Sequence, residues 1–383
     1  MIERKDITRH ITQALGSGRI VSLLGSRQCG KTTLARHFAK PGSSLYFDLE
    51  DPVDSAKLVE PKNVLENLTG TVVIDEVQRQ PELFPLLRVL ADRVPLPAKF
   101  LILGSASPNL IKRSSESLAG RVERIKIGGF SLSEVGEKKA EQLWLRGGLP
   151  RAFLSGSDKE SFTWLKEYTQ SFVERDLPLH GVSLPPMTLL RFWTMLAHYH
   201  GQIFNASEIA RSLGISVMTV KRYVDVLTGV FMIRQVQPWF GNIKKRQVKS
   251  PKIYFYDTGI LHSLLGIQTM DDLLAHPKYG ASWEEFVIEE VIRSVEPHEV
   301  FFWATHQGAE IDLVFNKGGR MYGVEIKRAD APTMTPAMRI ALEDLKLKRI
   351  AVVYPGKKRY SIHKQIDVVP FDEILGGMKG LFG

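Results

Sequence analysis

Apolar residues along this chain fall into two kinds of run: short continuous blocks, and positions spaced three or four apart. Residues 20–24, 72–74 and the segment "KFLILGSAS" are continuous blocks closed by glycine, aspartate or serine, the pattern of strands buried on both faces. Between the first two, "KTTLARHFA" reads as an amphipathic helix from about Lys31. Alternation of this kind predicts an α/β domain with a parallel sheet and a ligand at the strand C-termini. Further on the spacing turns helical, with Phe162, Leu165, Tyr168 and Phe172 on one face of "SFTWLKEYTQSFVERDL". "SLPPMT" then breaks the chain.

The stretch "NASEIARSLGISVMTVKRYVDVLTGVFMIRQVQPW" has helix periodicity over 206–213, a turn at Gly214 and Ile215, and helix periodicity again over 216–227. Ile209, Leu213, Val217, Val220, Val224 and Leu227 form the predicted core side, and Ser216, Met218, Thr219, Lys221 and Arg222 face outward. The strand-like "FMIRQVQPWF" that follows completes a winged helix-turn-helix pattern. From about Asp257 the pattern changes once more. "SWEEFVIEEVIRSV" predicts a helix with Phe286, Val287, Val291 and Ile292 packed and Glu284, Glu285, Glu289 and Glu290 on its other faces. "EVFFWATHQGAEIDLVFNKGGRMYGVEIKRA" predicts successive strands, with Glu310 and Asp312 on one face and Glu325 and Lys327 on one face of the next.

Composition narrows the class. The 383 residues suggest two or three domains, and 44% apolar with 24% charged residues is a globular balance. A single cysteine excludes an internal disulfide and a cysteine-based zinc site. No run reaches the length of a membrane helix, and the N-terminus "MIERKDITRH" lacks the apolar core of a secretory signal, so a cytoplasmic protein with no membrane partner is expected. A net charge of +9 favours a polyanionic partner.

Chemistry enters at "GSRQCGKTT". Gly25, Gly30, Lys31 and Thr32 fit the G-x-x-x-x-G-K-[ST] phosphate loop, whose amides wrap the phosphates of ATP. Ser26, Arg27, Gln28, Cys29 and Thr33 complete the expected nucleotide contacts. Lys31 is expected on the β/γ-phosphates and the Thr32 hydroxyl on Mg²⁺. The second half is "GTVVIDEVQ", where Asp75 would hold Mg²⁺ and Glu76 would orient the attacking water. Ser105, closing its strand, is placed to sense the γ-phosphate. Cys29 lies beside Lys31 and a helix start, yet no local base makes it a nucleophile. Phosphoryl transfer gains from a guanidinium, and Arg121 is the candidate finger for its own site or a neighbour's, with Arg124 the nearest substitute.

For DNA, the outward Thr219, Lys221 and Arg222 join Lys244, Lys245, Arg246, Lys249 and Lys252 of the wing segment in a basic footprint suited to phosphate-led binding. In the C-terminal strands, Asp312 followed by Glu325-x-Lys327 is the D…E-x-K arrangement of restriction-endonuclease-like folds. There two carboxylates fix Mg²⁺ and the lysine steadies the nucleophilic water.

The motifs "GSRQCGKTTL", "VVIDEVQ", "LILGSAS", "SLAGRV", "GGLPRAF", "VERDL", "YDTGI" and "GAEIDLVF…VEIK" occur in order over nearly the whole chain. In these the sequence resembles a prokaryotic family of AAA-type ATPases that couple an N-terminal ATPase to a nuclease-like C-terminal domain. The resemblance implies ATPase roles for Lys31, Thr32, Asp75, Glu76, Ser105 and Arg121, and adds Glu284 to the nuclease-like metal set by family position. The resulting expectation is a P-loop ATPase core over 1–150, a helical lid over 151–185, a winged helix-turn-helix over 186–256 and a nuclease-like α/β domain over 257–383. Such a protein would use ATP and Mg²⁺ to remodel or move along duplex or branched DNA in recombination, repair or defence, as a homo-oligomeric ring, expected to be a hexamer. Two other readings stay open: a nucleotide switch for a protein partner, and an endonuclease licensed by ATP.

Overall fold

In the N-terminal part, five strands assemble around three apolar blocks that have no polar face to leave in water. They are β1 (Ile20–Gly25), β2 (Tyr46–Asp48), β3 (Gly70–Asp75), β4 (Ala98–Ser105) and β5 (Val122–Lys126). The computed structural model of the chain describes residues 2–105, 117–182, 184–240 and 248–383, and of Ser105 only the backbone. Among these residues the five strands form one parallel sheet in the order β2-β3-β4-β1-β5. Every residue of β1 is buried, as a central strand requires. The helix Leu83–Ala91 covers the sheet with Leu83, Phe84, Leu87 and Leu90. Register brings Gly25 of β1 level with Ser105 of β4, so the polar ends of the central strands open at one rim. The helix after the phosphate loop is shorter than expected, Lys31–Ala35. Its last amides bond three residues back (His37 to Leu34, Phe38 to Ala35), and Pro41 disfavours helical backbone before it.

The second sheet has nine strands in the order β13-β14-β12-β11-β10-β9-β7-β8-β6 among the described residues. They are β6 (Gln202–Ile203), β7 (Ile233–Pro238), β8 (Lys252–Phe255), β9 (Val300–Ala304), β10 (Glu310–Lys317), β11 (Arg320–Ile326), β12 (Arg349–Tyr354), β13 (Tyr360–His363) and β14 (Ile366–Pro370). The antiparallel pair β7–β8 follows the helices Ala206–Leu213 and Val217–Gly229, joined at Gly214, whose φ of +66° suits a left-handed helix end. β7 then pairs in parallel with β9 through Gln237↔Phe301 and Pro238↔Phe302. The expected wing is therefore the margin of the C-terminal sheet, and a domain boundary at 256 is corrected: the ladder runs across it. The helix Pro336–Asp344 buries Met338 and Ala341 against Ile311, Val314, Ile350 and Val352 of that sheet.

The compact units also redraw the first boundary. One comprises Met1–Phe130 with Asp225–Met232, the other Ser131–Val224 with Ile233–Gly383, in place of a division at 150. Asp257 supplies the reason. Its carboxylate caps the helix Thr258–Leu265 through the Ile260 amide and accepts from the amides of Gly148 (2.8 Å) and Leu149 (3.2 Å). Gly147 stands at φ +74°, where a Cβ would lie 2.1 Å from Asp257 Oδ1. "GGLP" and "YDTG" are thus two halves of one junction, and residues 131–150 fold with the second unit. Among the described residues no helix is long and apolar enough to cross a membrane.

Candidate functional site

At the rim of the first sheet the phosphate loop hangs between β1 and the helix that starts at Lys31. Gly25 admits no side chain, since a Cβ would meet Ile127 O at 2.1 Å and Cys29 Sγ at 2.9 Å. Gln28 and Gly30 take positive φ (60° and 98°), the turn that brings successive amides to one side. Lys31 is buried, and its ammonium donates to the carbonyl oxygens of Gly25 (3.0 Å) and Ser26 (2.8 Å). Cys29 is fully buried, so its thiol packs the loop and is not offered to solvent. Thr32 is half-buried and Thr33 exposed, with Arg27 half-buried and Gln28 exposed.

Two carboxylates close the site from β3. Asp75 is buried at the strand end and accepts from the Tyr46 hydroxyl (2.9 Å) and the Glu76 amide (2.9 Å). Glu76 adopts φ 54°, a strained conformation for a non-glycine residue, and its carboxylate accepts from the Gln78 amide. Burial, reinforced by the Asp75 charge, raises the Glu76 pKa above the ordinary range. Burial and Asp75 likewise push Tyr46 well above the tyrosine range, so it stays a donor. A glycine cradle without room for a Cβ, a buried ammonium and a buried aspartate beside a second acid fit magnesium-bound ATP.

Two residues here escaped the sequence reading. Tyr46 carried no signal beyond a short apolar stretch. Arg4 is buried and donates to the carbonyls of Cys29 (3.1 Å), Gly128 (3.1 Å) and Gly129 (3.0 Å), tying the phosphate loop to the end of β5. In the sequence Arg4 is one charge among several in "MIERK", and nothing marks it.

Arg121 lies elsewhere. β5 runs parallel to β1 with Val122 level with Ile20, so Arg121 sits at the opposite end of the sheet from Gly25, roughly 20 Å along the strands. Its guanidinium pairs with Asp92 (2.7 Å) and donates to Ala119 O (2.9 Å). A finger to its own site is therefore corrected; only a neighbour's site remains within its geometry. Arg124 is exposed on β5. The Ser105 side chain lies outside the described residues, though its backbone stands beside Gly25.

On the helix Val217–Gly229, Lys221 and Arg222 are exposed, and the Arg222 guanidinium lies over Tyr223 and donates to Gly181 O (3.3 Å). The Thr219 amide and hydroxyl are engaged by the Ser216 hydroxyl at 3.0 and 2.8 Å, which caps the helix start. Val217, expected in the core, is exposed beside exposed Met218. Lys249 is exposed, while Lys244, Lys245 and Arg246 lie outside the described residues.

Lys252 reverses its expected place. Only 4% of its side chain is exposed, and its ammonium pairs with Glu284 (3.2 Å), with Glu310 and, at 3.9 Å, with Asp312. It reads as a surface charge because its sequence neighbours are basic, but every residue of β8 is buried, Lys252 included. The expected set does converge around it. Asp312 Oδ2 accepts from the Ile326 amide (2.8 Å), Glu325 pairs with Lys327 (2.5 Å), and Glu284 also accepts from the Tyr254 hydroxyl. Burial, then the charges of Glu325 and Glu284, push the Asp312 carboxyl well above its usual range. Among the described residues, no three carboxylate, histidine or cysteine groups are arranged to hold a metal ion. The helix Tyr279–Val295 also differs from its reading as acidic outside: Glu285, Glu289 and Glu290 are buried. Arg234 grips Glu289 with two bonds (2.7 and 3.0 Å), and the Leu132 amide donates to Glu290 (2.9 Å).

Comparison with known proteins agrees with the first unit. Residues 17–136 match the family model of an AAA domain. Residues 137–271 and 279–374 match two domains of unknown function, DUF8612 and DUF4143. The chain is 49% identical over 375 residues to Rv2008c of Mycobacterium tuberculosis and to Mb2031c of Mycobacterium bovis, both described as uncharacterized. That alignment spans 98% of this chain and 85% of each relative. Among solved structures, the Walker-type ATPase PABY2304 of Pyrococcus abyssi overlaps 69% of this chain and 96% of its own, at 16% identity and a TM-score of 0.49.

Proposed function

This chain belongs to the family of the two mycobacterial proteins and carries an AAA-type ATPase domain, and we propose that it hydrolyses ATP there to act on duplex or branched DNA. The observation that carries the ATPase part is the meeting of Lys31, Asp75 and Glu76 at one sheet rim, on a loop whose glycines leave its amides free to approach phosphate. Mg²⁺-ATP, when bound, would supply a reactive phosphoanhydride and a divalent charge to neutralise the developing oxyanions. The residues do the rest. Lys31 would exchange its two carbonyl partners for phosphate oxygens, Thr32 and Asp75 would hold the metal, and Glu76 would orient the attacking water. Ser105 belongs to the same rim by its backbone. Arg121 serves a neighbouring copy, which requires a ring, expected to be hexameric.

DNA engagement rests on exposed Lys221 and Arg222 on the second helix of the helix-turn-helix and exposed Lys249 at the start of the β8 segment. Lys244, Lys245 and Arg246 extend that footprint by sequence. With few side chains suited to base edges, the contact is phosphate-led and weakens steeply with salt. One observation favours a second reading: Val217 and Met218 expose apolar surface on the same helix start, which suits a protein partner of a nucleotide switch.

The deciding measurement is steady-state ATP hydrolysis without DNA and with duplex, single-stranded or four-way-junction DNA, with Lys31→Ala as the blank. Stimulation by one DNA form that is lost in Lys221→Ala/Arg222→Ala, with basal turnover intact, is expected. Equal slow turnover with every DNA would transfer the role to the protein switch.

A further inference from the structure

The expected metal set of the C-terminal sheet does not fit a divalent cation. Each carboxylate that would ligate Mg²⁺ already has a donor of its own. Glu284 accepts from Lys252 and the Tyr254 hydroxyl, Asp312 from the Ile326 amide with the Lys252 ammonium 3.9 Å from its other oxygen, and Glu325 from Lys327. The second Glu325 oxygen is buried without a donor, which leaves one ligand and not a set. Glu310, on the same strand as Asp312, pairs with Lys252 too. The Lys252 ammonium is the centre on which three of the four acids converge, the position a cation would need.

We infer that Lys252 is the resident cation of this site: an ammonium built into β8 stands in place of the metal, and the nuclease-like sheet is a non-cleaving scaffold. The backbone holds it there. Lys252 pairs with Val236 of β7 and with Ile203 of β6, so it is fixed between two strands and cannot swing out without opening the sheet margin. Its ammonium lies over the rings of Tyr254 and Phe302, 5.9 and 5.6 Å from their centroids. A fixed, buried ammonium repels a divalent ion at these distances and satisfies the same acids without one. The arrangement also has a mechanical consequence. One lysine from the expected wing joins the helix Tyr279–Val295 through Glu284 and the β10 strand through Glu310 and Asp312, so the margin strands and the acidic elements close around a single charge.

The test is Mn²⁺ binding to the full chain without nucleotide, read by calorimetry and electron paramagnetic resonance in wild type and Asp312→Asn. The two are expected to take up Mn²⁺ identically, because neither binds it at this site. In parallel, supercoiled plasmid with Mg²⁺ or Mn²⁺ is expected to stay intact. A Mn²⁺ ion bound by wild type and lost in Asp312→Asn, or metal-dependent nicking lost in Glu325→Gln, would overturn the inference. Lys252→Met supplies the positive side. Its melting temperature is expected to fall by about 5 °C or more and to recover partly with Mn²⁺. An unchanged melting temperature, or no recovery, counts against Lys252 as counter-ion. Should that variant fail to fold, the comparison of wild type with Asp312→Asn decides alone.

Discussion

Glu76 holds its backbone at φ 54° and its carboxyl in a largely buried setting beside Asp75, and the two features have one use. The left-handed turn brings its amide back onto the Asp75 carboxylate and aims its side chain along the rim. Burial raises its pKa, so the folded protein keeps the proton to higher pH than the unfolded chain does. The stability this group contributes is therefore complete below the unfolded carboxylate range and is lost as pH rises through the raised folded value. Turnover has the opposite need, since only the ionised form accepts a proton from water. Glu76→Gln should lower turnover by about 10²-fold or more while its melting temperature at neutral pH equals or exceeds wild type. The acid limb of wild-type turnover should lie above the ordinary glutamate range of about 4.3. A variant that melts lower, or a limb at the ordinary value, would show that burial does not tune this acid.

At the scale of elements, the helix Tyr279–Val295 shows why periodicity alone misassigned its acids. Seventeen residues enclosed on nearly all sides cannot expose four glutamates, and each buried one finds its own solution. Glu289 is held by Arg234, whose guanidinium also lies 4.3 Å over the Tyr256 ring. Glu290 takes an amide. Glu285 is pushed well above its usual range by burial and then by the charge of Glu289. The two acids should consequently answer the same substitution differently. Glu289→Gln leaves the Arg234 charge buried without a counter-charge and should cost about 3–5 kcal/mol in urea unfolding. Glu285→Gln removes an acid whose ionised form burial already disfavours, and should change stability little. The helix itself was legible because Phe286, Val287 and Val291 recur at helical spacing; the partner of Glu289 lies over fifty residues away in β7 and escapes any local pattern.

For the whole molecule, the parallel order β2-β3-β4-β1-β5 places the two ends of each strand in different roles. Its own phosphate loop is at one rim and Arg121 is at the other, paired with Asp92. The proposed ring assigns Arg121 to the loop of a neighbouring copy. Arg121→Ala should lower turnover on the order of 10³-fold, and mixing it with Lys31→Ala chains should restore activity, because each supplies what the other lacks. Normal turnover in Arg121→Ala, or no rescue on mixing, would reduce Arg121 to a partner of Asp92.

What the sequence alone determined was local. The phosphate loop, the acids closing β3, the helix pair joined at Gly214 and the strands bearing Asp312 and Glu325 are each set by spacing within a few residues. Tertiary structure decided everything that depends on burial and on which distant segment comes alongside. It carried Lys252 from an apparent basic surface into the acid cluster, fused the expected wing to the C-terminal sheet through β7 and β9, and drew residues 131–150 to Asp257. The physical reason is the same in each case. Charge and hydrogen bonding are settled by neighbours in space, and a pattern along the chain shows only which face a residue takes.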